Sequence, residues 1–154
     1  MKLANILGVS YGKNCHFMTK EWDSEPYLIS MGDNVQTSSN VTFVTHDGSM
    51  RVVRNLYPKF KNSDLFGKIT IGNNVFIGIN ATILPNTTIG NNVIVGASSL
   101  VKGSLASNGV YAGIPAKYIC SIDEYVEKNK HNYDDTKHMN PEEKKIYLFN
   151  KYKL

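Results

Sequence analysis

Aliphatic residues recur at every sixth position between residues 69 and 101. The series is Ile71, Ile77, Ile83, Ile89, Val95 and Val101, and four positions after each of the first five comes a small or β-branched residue: Val75, Ala81, Thr87, Val93 or Ser99. Neither an α-helix nor a simple alternating strand has a period of six. This period is typical of a parallel β-helix, whose coils stack about 4.8 Å apart. The chain is therefore predicted to be an all-β solenoid, a left-handed parallel β-helix with one hexad on each side of a triangular coil.

Weaker copies of the hexad extend the pattern toward the N-terminus. They occur in VSYGKNCHF (9–17) and YLISMGDNVQ (27–36), which brings the total to about four coils. The period is interrupted briefly at 18–28 and for much longer at 47–68. Solenoids usually carry such insertions on one face, which is often the binding face. We predict a β-helix domain over 1–120, with an inserted loop at 47–68.

The last quarter of the chain changes to helical signals. Ser121 precedes Glu124 at capping-box spacing, and Asn140 is followed by Pro141 and Glu143. These signals predict a C-terminal helical cap over 121–154, with short α-helices at about 121–130 and 141–152. The cap is expected to cover the open edge of the last coil. Residues 106–119 are expected to form a closing turn and one last strand. The first coil shows no cap of its own, so another element or subunit is expected to shield it.

Composition narrows the functional classes. The 154 residues suit one domain, 42% are hydrophobic, and the formal net charge is +4. No basic face with interleaved aromatic residues points to nucleic acid, and no apolar run has the length of a membrane span. The N-terminal apolar run is too short for a signal peptide. Cys15 and Cys120 lack metal-site spacing, and Cys15 falls on an inward position. We therefore expect a cytoplasmic protein with Cys15 in its core.

Among the four histidines, His46 has the most informative position. His131 and His138 lie in a polar link between the predicted helices and are expected on the surface, whereas His16 lies near a predicted corner. His46 lies where the regular coil gives way to the long insertion. A neutral imidazole there can accept a proton from a substrate in a cleft. The alternative is a corner histidine with a structural hydrogen bond.

Three motifs together resemble the hexapeptide-repeat acyltransferases. They are the hexads, THDGS (45–49) before the insertion, and GIPAK (113–117). The stretch SEPYLISMGDNV (24–35) followed by TFVTHDG (42–48) is most similar to small sugar O-acetyltransferases of surface-polysaccharide synthesis. The resemblance covers residues 5 to 120. It implies a homotrimer with active sites between subunits, acetyl-CoA as cosubstrate without a metal, and a sugar or sugar-nucleotide acceptor.

The resemblance also assigns roles by position. His46 matches the general base, and the matched cofactor-binding positions are Ile79, Ala97, Lys102 and Lys117. The backbones at Ile79 and Ala97 would meet the pantetheine arm, and Lys117 would reach the phosphates. The family often has Thr-Lys after SLV, whereas here Lys102 comes one residue early and precedes Gly103. Simple solvation is the alternative for both lysines.

The implied reaction is direct transfer in a ternary complex. His46 would remove the proton of a sugar hydroxyl as its oxygen attacks the thioester carbonyl, and such help contributes about 10²–10⁴-fold. A backbone N–H at a coil corner would stabilise the oxyanion. Asp23 and Glu25, one turn earlier, are candidates for contacting the acceptor or orienting the imidazole. Corner carboxylates exposed to water are the alternative.

The sequence argues against two other functions and leaves two open. A zinc carbonic anhydrase on this fold needs three converging histidines, but only His46 lies in the central coils. A non-catalytic structural solenoid is disfavoured by GIPAK. N-acetylation of an amino-sugar nucleotide and acetylation of an antibiotic are not separated from O-acetylation, because acceptor choice would depend on 18–28 and 47–68.

Overall fold

The computed structural model describes residues 2–154, which form short strands and four α-helices. The helices are α1 (Lys2–Ile6), α2 (Met50–Leu56), α3 (Ile122–Asn129) and α4 (Pro141–Tyr152). The strands are β1 (Ser10–Tyr11), β2 (His16–Phe17), β3 (Ile29–Met31), β4 (Val35–Thr37), β5 (Thr42–Phe43), β6 (Ile69–Ile71), β7 (Val75–Ile77), β8 (Thr82–Ile83), β9 (Thr88–Ile89), β10 (Val93–Val95), β11 (Leu100–Val101), β12 (Ser104–Leu105), β13 (Gly109–Gly113) and β14 (Ala116–Ser121).

Successive strands of the chain fall on three different sheets, as expected for a triangular coil. Face A has the order β1-β3-β6-β9-β12, face B has β14-β13-β10-β7-β4-β2, and face C has β11-β8-β5. All pairs are parallel except β13 with β14. Each strand except β14 therefore pairs with a strand one coil away, and the predicted parallel β-helix is confirmed.

The hexad positions form the core. All six residues of the aliphatic series are buried, and so are the five small or β-branched residues between them. In face B, Val75 lies between Val35 and Val93, which shows that equivalent hexads stack in register. Because each coil repeats this placement, the side chains form continuous columns inside the prism.

Asparagines with positive φ turn the corners. Asn74, Asn92 and Asn108 have φ values of 56°, 54° and 63°. This left-handed conformation is one that asparagine tolerates better than most residues. Their amides form a ladder, in which Asn74 donates to Asn92 at 2.9 Å and Asn92 donates to Asn108 at 2.8 Å. At another corner Gly78 is required, because a Cβ there would lie 2.6 Å from the backbone nitrogen of Ala97.

A separate element, helix α1, covers the N-terminal end, in agreement with the expectation that another element or subunit shields the first coil. Helix α1 packs Ala4 into the core. Beneath it Phe17 contacts Trp22 edge to face, with ring centroids 5.3 Å apart, and Trp22 stacks on Phe43 at 5.1 Å. The hexad pattern does not reveal this cover, because α1 is short and precedes the first repeat.

The C-terminal end differs from the prediction in one respect. Residues 106–119 do not form one strand, since β13 and β14 make an antiparallel hairpin around a cis Ile114–Pro115 bond. Strand β14 rather than a helix therefore covers the edge of face B. The two predicted C-terminal helices are observed, each with a complete capping box, at Ser121–Glu124 and at Asn140–Glu143. In residues 2–154 we find no helix with the length and apolar character needed to cross a bilayer.

Candidate active site

The insertion at 47–68 leaves the coil and returns to it through a paired neck. The N–H of Asp47 donates to the carbonyl of Leu65, and the N–H of Gly67 donates to that of Thr45, both at 2.8 Å. The backbones of His46 and Phe66 pair between these two bonds. The sequence predicts only an inserted loop here, and the structure shows that this loop contains α2 and a 3₁₀ turn at Pro58–Phe60. The neck therefore fixes where the insertion lies relative to His46.

The imidazole of His46 lies between two carboxylates. Its Nδ1 is 3.9 Å from Oε2 of Glu25, and its Nε2 is 3.7 Å from Oδ1 of Asp64. The ring packs against Phe66 with centroids 4.7 Å apart. Both carboxylate distances are too long for hydrogen bonds. Nε2 is shielded from solvent and has no hydrogen-bond partner, so the imidazole has an unpaired nitrogen on the side that faces the insertion.

Asp23 and Glu25 have different surroundings. Oδ2 of Asp23 accepts the backbone N–H groups of Thr45 at 2.6 Å and His46 at 3.1 Å. Burial acts to raise the pKa of Asp23, but the N–H groups of Thr45, Ser24 and His46 together lower it below its usual value. Asp23 thus holds the backbone that carries the histidine. Glu25, which accepts the hydroxyl of Ser24 at 2.7 Å, is the carboxylate beside the imidazole.

Asp64 and Phe66 were not among the residues predicted from the sequence. Asp64 is held by Arg54, whose guanidinium contacts Oδ1 of Asp64 and donates to the carbonyl of Ser63 at 2.8 Å. No motif marks these residues. The only signal in the sequence was their position at the end of the insertion. An inserted loop that leaves a coil and rejoins it brings its last residues close to the residue where it began.

Three of the four predicted cofactor-binding residues lie along one edge of the prism. Ile79 and Ala97 follow β7 and β10 at the corner between faces B and C, where the N–H of Ser98 donates to the carbonyl of Ile79 at 2.8 Å. The end of β13 reaches the same corner, since the N–H of Gly113 donates to the hydroxyl of Ser99 at 3.2 Å. Lys117 is exposed on β14 opposite Ala112, beside this edge.

Lys102 lies on the other edge of face C, with His46. It follows β11. Val44 and Leu84 donate backbone hydrogen bonds to the next coil, so these two residues and the end of β11 lie one above another. At the usual strand spacing, Lys102 lies about 10 Å along the axis from Val44. Within one chain, His46 and Lys102 therefore lie on one edge of face C. The other three predicted cofactor-binding residues, Ile79, Ala97 and Lys117, lie on the opposite edge.

The other three histidines and the two cysteines are the remaining candidates. His16 is exposed on β2, and His131 and His138 are exposed in the C-terminal segment. Cys15 is buried, as predicted, and Cys120 is partly buried. Among residues 2–154, no three histidine, cysteine, aspartate or glutamate side chains are grouped to hold a metal ion.

Comparison with known proteins identifies the family. The family described as bacterial transferase hexapeptide (six repeats) matches residues 68–103. Protein CapG of Staphylococcus aureus is 50% identical over 150 residues, which cover 96% of this chain and 86% of CapG. The chain belongs to the hexapeptide-repeat acyltransferases. The predicted recognition, enzyme class and left-handed β-helix are confirmed with it.

Two sugar O-acetyltransferases are also similar. The galactoside O-acetyltransferase of Escherichia coli (strain K12) is 36% identical over 132 residues, covering 80% of this chain and 61% of that enzyme. The crystal structure of a maltose O-acetyltransferase from Clostridium difficile 630 superimposes with a TM-score of 0.60 and 28% identity, covering 75% of this chain and 59% of that one. This hexapeptide-repeat chain thus spans about three fifths of both enzymes.

Proposed function

We propose that this protein transfers an acetyl group from acetyl-CoA to a sugar hydroxyl of a surface polysaccharide or its precursor. The observation that carries the proposal is the imidazole of His46, whose Nε2 has no partner where the coil meets the insertion. The names of two similar enzymes, which act on a galactoside and on maltose, support a sugar acceptor. The free thiols of Cys15 and Cys120 are consistent with a reducing cytoplasm.

Glu25 would set the tautomer of His46. Its carboxylate lies on the Nδ1 side, whereas the carboxylate on the Nε2 side, that of Asp64, is already paired with Arg54. This difference would favour a proton on Nδ1 and leave the lone pair of Nε2 to act as the base. As the hydroxyl oxygen attacks the thioester carbonyl, Nε2 takes its proton. The bond from carbon to sulfur then breaks, and the imidazolium returns the proton to the departing thiolate. Glu25 and Asp64 stabilise the imidazolium between these steps because both carry negative charge.

Acetyl-CoA would lie along the edge that carries Ile79, Ala97 and Lys117. Ile79 and Ala97 are exposed corner residues, so peptide groups at this corner would be within reach of the amides of the pantetheine arm. Lys117, a point charge on an exposed strand, is suited to the phosphates. Lys102 lies on the edge of His46 and would meet a different part of the donor.

We propose a homotrimer, since one chain keeps the two halves of this site apart. His46 and the edge that carries Lys117 lie at opposite sides of face C, so a neighbouring subunit would complete the site. Light scattering should give three times the chain mass, and a fully active monomer would contradict the proposal.

The activity can be tested with a panel of acceptors. Purified protein is incubated with acetyl-CoA and with neutral sugars, amino sugars and oligosaccharides, and release of the CoA thiol is followed. NMR then locates the acetyl group. We expect an O-acetyl ester that mild base removes, and no product with His46→Ala. An acetyl group on nitrogen, or transfer to no sugar, would refute the proposed function.

A further inference from the structure

We propose that Asp64 binds the acceptor, and that the acceptor presents two adjacent hydroxyl groups, a vicinal diol, to His46 and Asp64. This inference rests on the proposed sugar O-acetylation. Nε2 of His46 and Oδ1 of Asp64 are 3.7 Å apart, too far for a hydrogen bond with each other. The two hydroxyl oxygens of a vicinal diol are separated by a similar distance, about 3 Å. Each protein atom can therefore take one hydroxyl of a diol.

The two hydroxyls have different fates in the reaction. The first donates its proton to Nε2 while its oxygen forms the ester bond and the thioester bond breaks. The second donates a hydrogen bond to Asp64 and keeps its proton throughout. This second contact orients the sugar, so that the attacking hydroxyl points at Nε2 and not at solvent. Asp64 is thus a residue that determines specificity, whereas His46 carries the chemistry.

Arg54 explains why Asp64 can recognise a hydroxyl. The guanidinium contacts Oδ1 of Asp64 and the carbonyl of Ser63, so it fixes the position of the carboxylate at the end of the insertion. An ionised carboxylate only accepts hydrogen bonds, and it has more acceptor positions than Arg54 uses. It therefore favours an acceptor with a donor group beside the reacting oxygen. Nε2 is shielded from solvent in this structure, so the proposal requires side chains of the insertion to move outward as the sugar enters.

The competing explanation is that Asp64 serves only as the ionic partner of Arg54. Comparing two variants with two acceptors separates the explanations. The acceptors are the best sugar from the panel and its deoxy analogue, which lacks the hydroxyl next to the acetylated position. The variants are Asp64→Ala, which removes the carboxylate, and Arg54→Ala, which breaks the same ion pair but keeps the carboxylate. Thermal unfolding checks that each variant is folded, and Asp64→Asn is measured alongside as a variant of the same shape.

The readout is the ratio of kcat/KM for the two acceptors. Wild type should prefer the parent sugar by about 10- to 100-fold, the range for a hydrogen bond to a charged group. In Asp64→Ala the ratio should fall to near one, and in Asp64→Asn it should fall part of the way. Arg54→Ala should keep a clear preference, even if both rates drop. If both alanine variants lose the same factor in kcat/KM on both acceptors, Asp64 serves only as the ionic partner of Arg54 and does not bind the acceptor. If the acetylated hydroxyl has no hydroxyl neighbour, the inference fails while the proposed function stands. If no sugar is acetylated, the proposed function itself fails.

Discussion

The carboxylate of Asp23 accepts the backbone N–H of His46 at 3.1 Å, although the two residues belong to successive coils. The same oxygen accepts the N–H of Thr45 at 2.6 Å. A charged acceptor shared between two N–H groups fixes the chain at the point where it leaves the coil. The position of the imidazole thus depends on a residue that does not contact it.

Asp23 should make stability depend on acid pH. Its folded pKa is lowered, so its carboxylate stabilises the fold above the unfolded pKa of about 3.9, and this contribution is lost as the pH falls through the folded value. Asp23→Asn retains a side chain that tolerates the positive φ of 59° at this position. Because Asp23 is exposed and solvent screens its charge, the change should cost less than about 1 kcal/mol of unfolding free energy at pH 7, and progressively less below about pH 4. Urea unfolding at several pH values measures this. The exposed Asp135→Asn is the control, and an equal pH dependence in that variant would contradict the assignment.

His46→Ala should lower kcat by about 10²–10⁴-fold, the usual loss for a positioned base. Acetyl-CoA affinity should change little, because the imidazole is proposed to act on the proton of the acceptor and not to bind the donor. Steady-state kinetics and calorimetric titration with acetyl-CoA measure the two quantities. His16→Ala, on the exposed side of β2, is the matched control. Transfer within a few-fold of wild type would make His46 a structural residue.

Glu25→Gln should reduce kcat by about 10-fold or more, but less than His46→Ala, because it removes the negative charge beside Nδ1 and leaves the base in place. The KM for acetyl-CoA should remain near its wild-type value. Glu25→Asp keeps the charge and should recover part of the loss. Equal activity of the Gln and Asp variants would show that the charge of Glu25 plays no part.

Lys117→Ala should raise the KM for acetyl-CoA about 10-fold with a smaller change in kcat, since it removes a charge proposed to meet a phosphate. S-acetyl pantetheine, which lacks the nucleotide phosphates, provides a control substrate, and wild type and variant should use it equally. The exposed Lys128→Ala, on α3, controls for net charge. An unchanged KM with acetyl-CoA would exclude Lys117 from the donor site.

Replacing residues 48–64 with a short Gly-Ser linker should abolish acceptor use and spare the trimer and acetyl-CoA binding. The neck bonds of Asp47 with Leu65 and of Gly67 with Thr45 remain in this variant, so His46 keeps its backbone position. What is lost is α2 and the carboxylate of Asp64, which is proposed to bind the acceptor. Light scattering, calorimetry and the transfer assay measure the three properties. Wild-type transfer by the shortened protein would show that the insertion has no part in acceptor binding.

The sequence alone determined the repeating part of this protein. The period of six predicts the column of buried side chains that contains Ile77. The preference of asparagine for a left-handed backbone predicts corners such as the one at Asn74. Both are short-range properties, and neighbouring coils reinforce them because every coil repeats the same geometry. The capping boxes at Ser121 and Asn140 are local in the same sense, and they marked both C-terminal helices correctly.

Only the tertiary structure decided how the non-repeating segments meet at the candidate site. Asp64 reaches His46 because the insertion closes on itself through its neck, and its path has no period from which to predict the return. Asp23 reaches the backbone of His46 across an interruption in the repeat. The separation of Lys117 from His46 depends on which corner of the prism each residue occupies. These are contacts between residues distant in sequence, and their free energy depends on packing that no local pattern encodes.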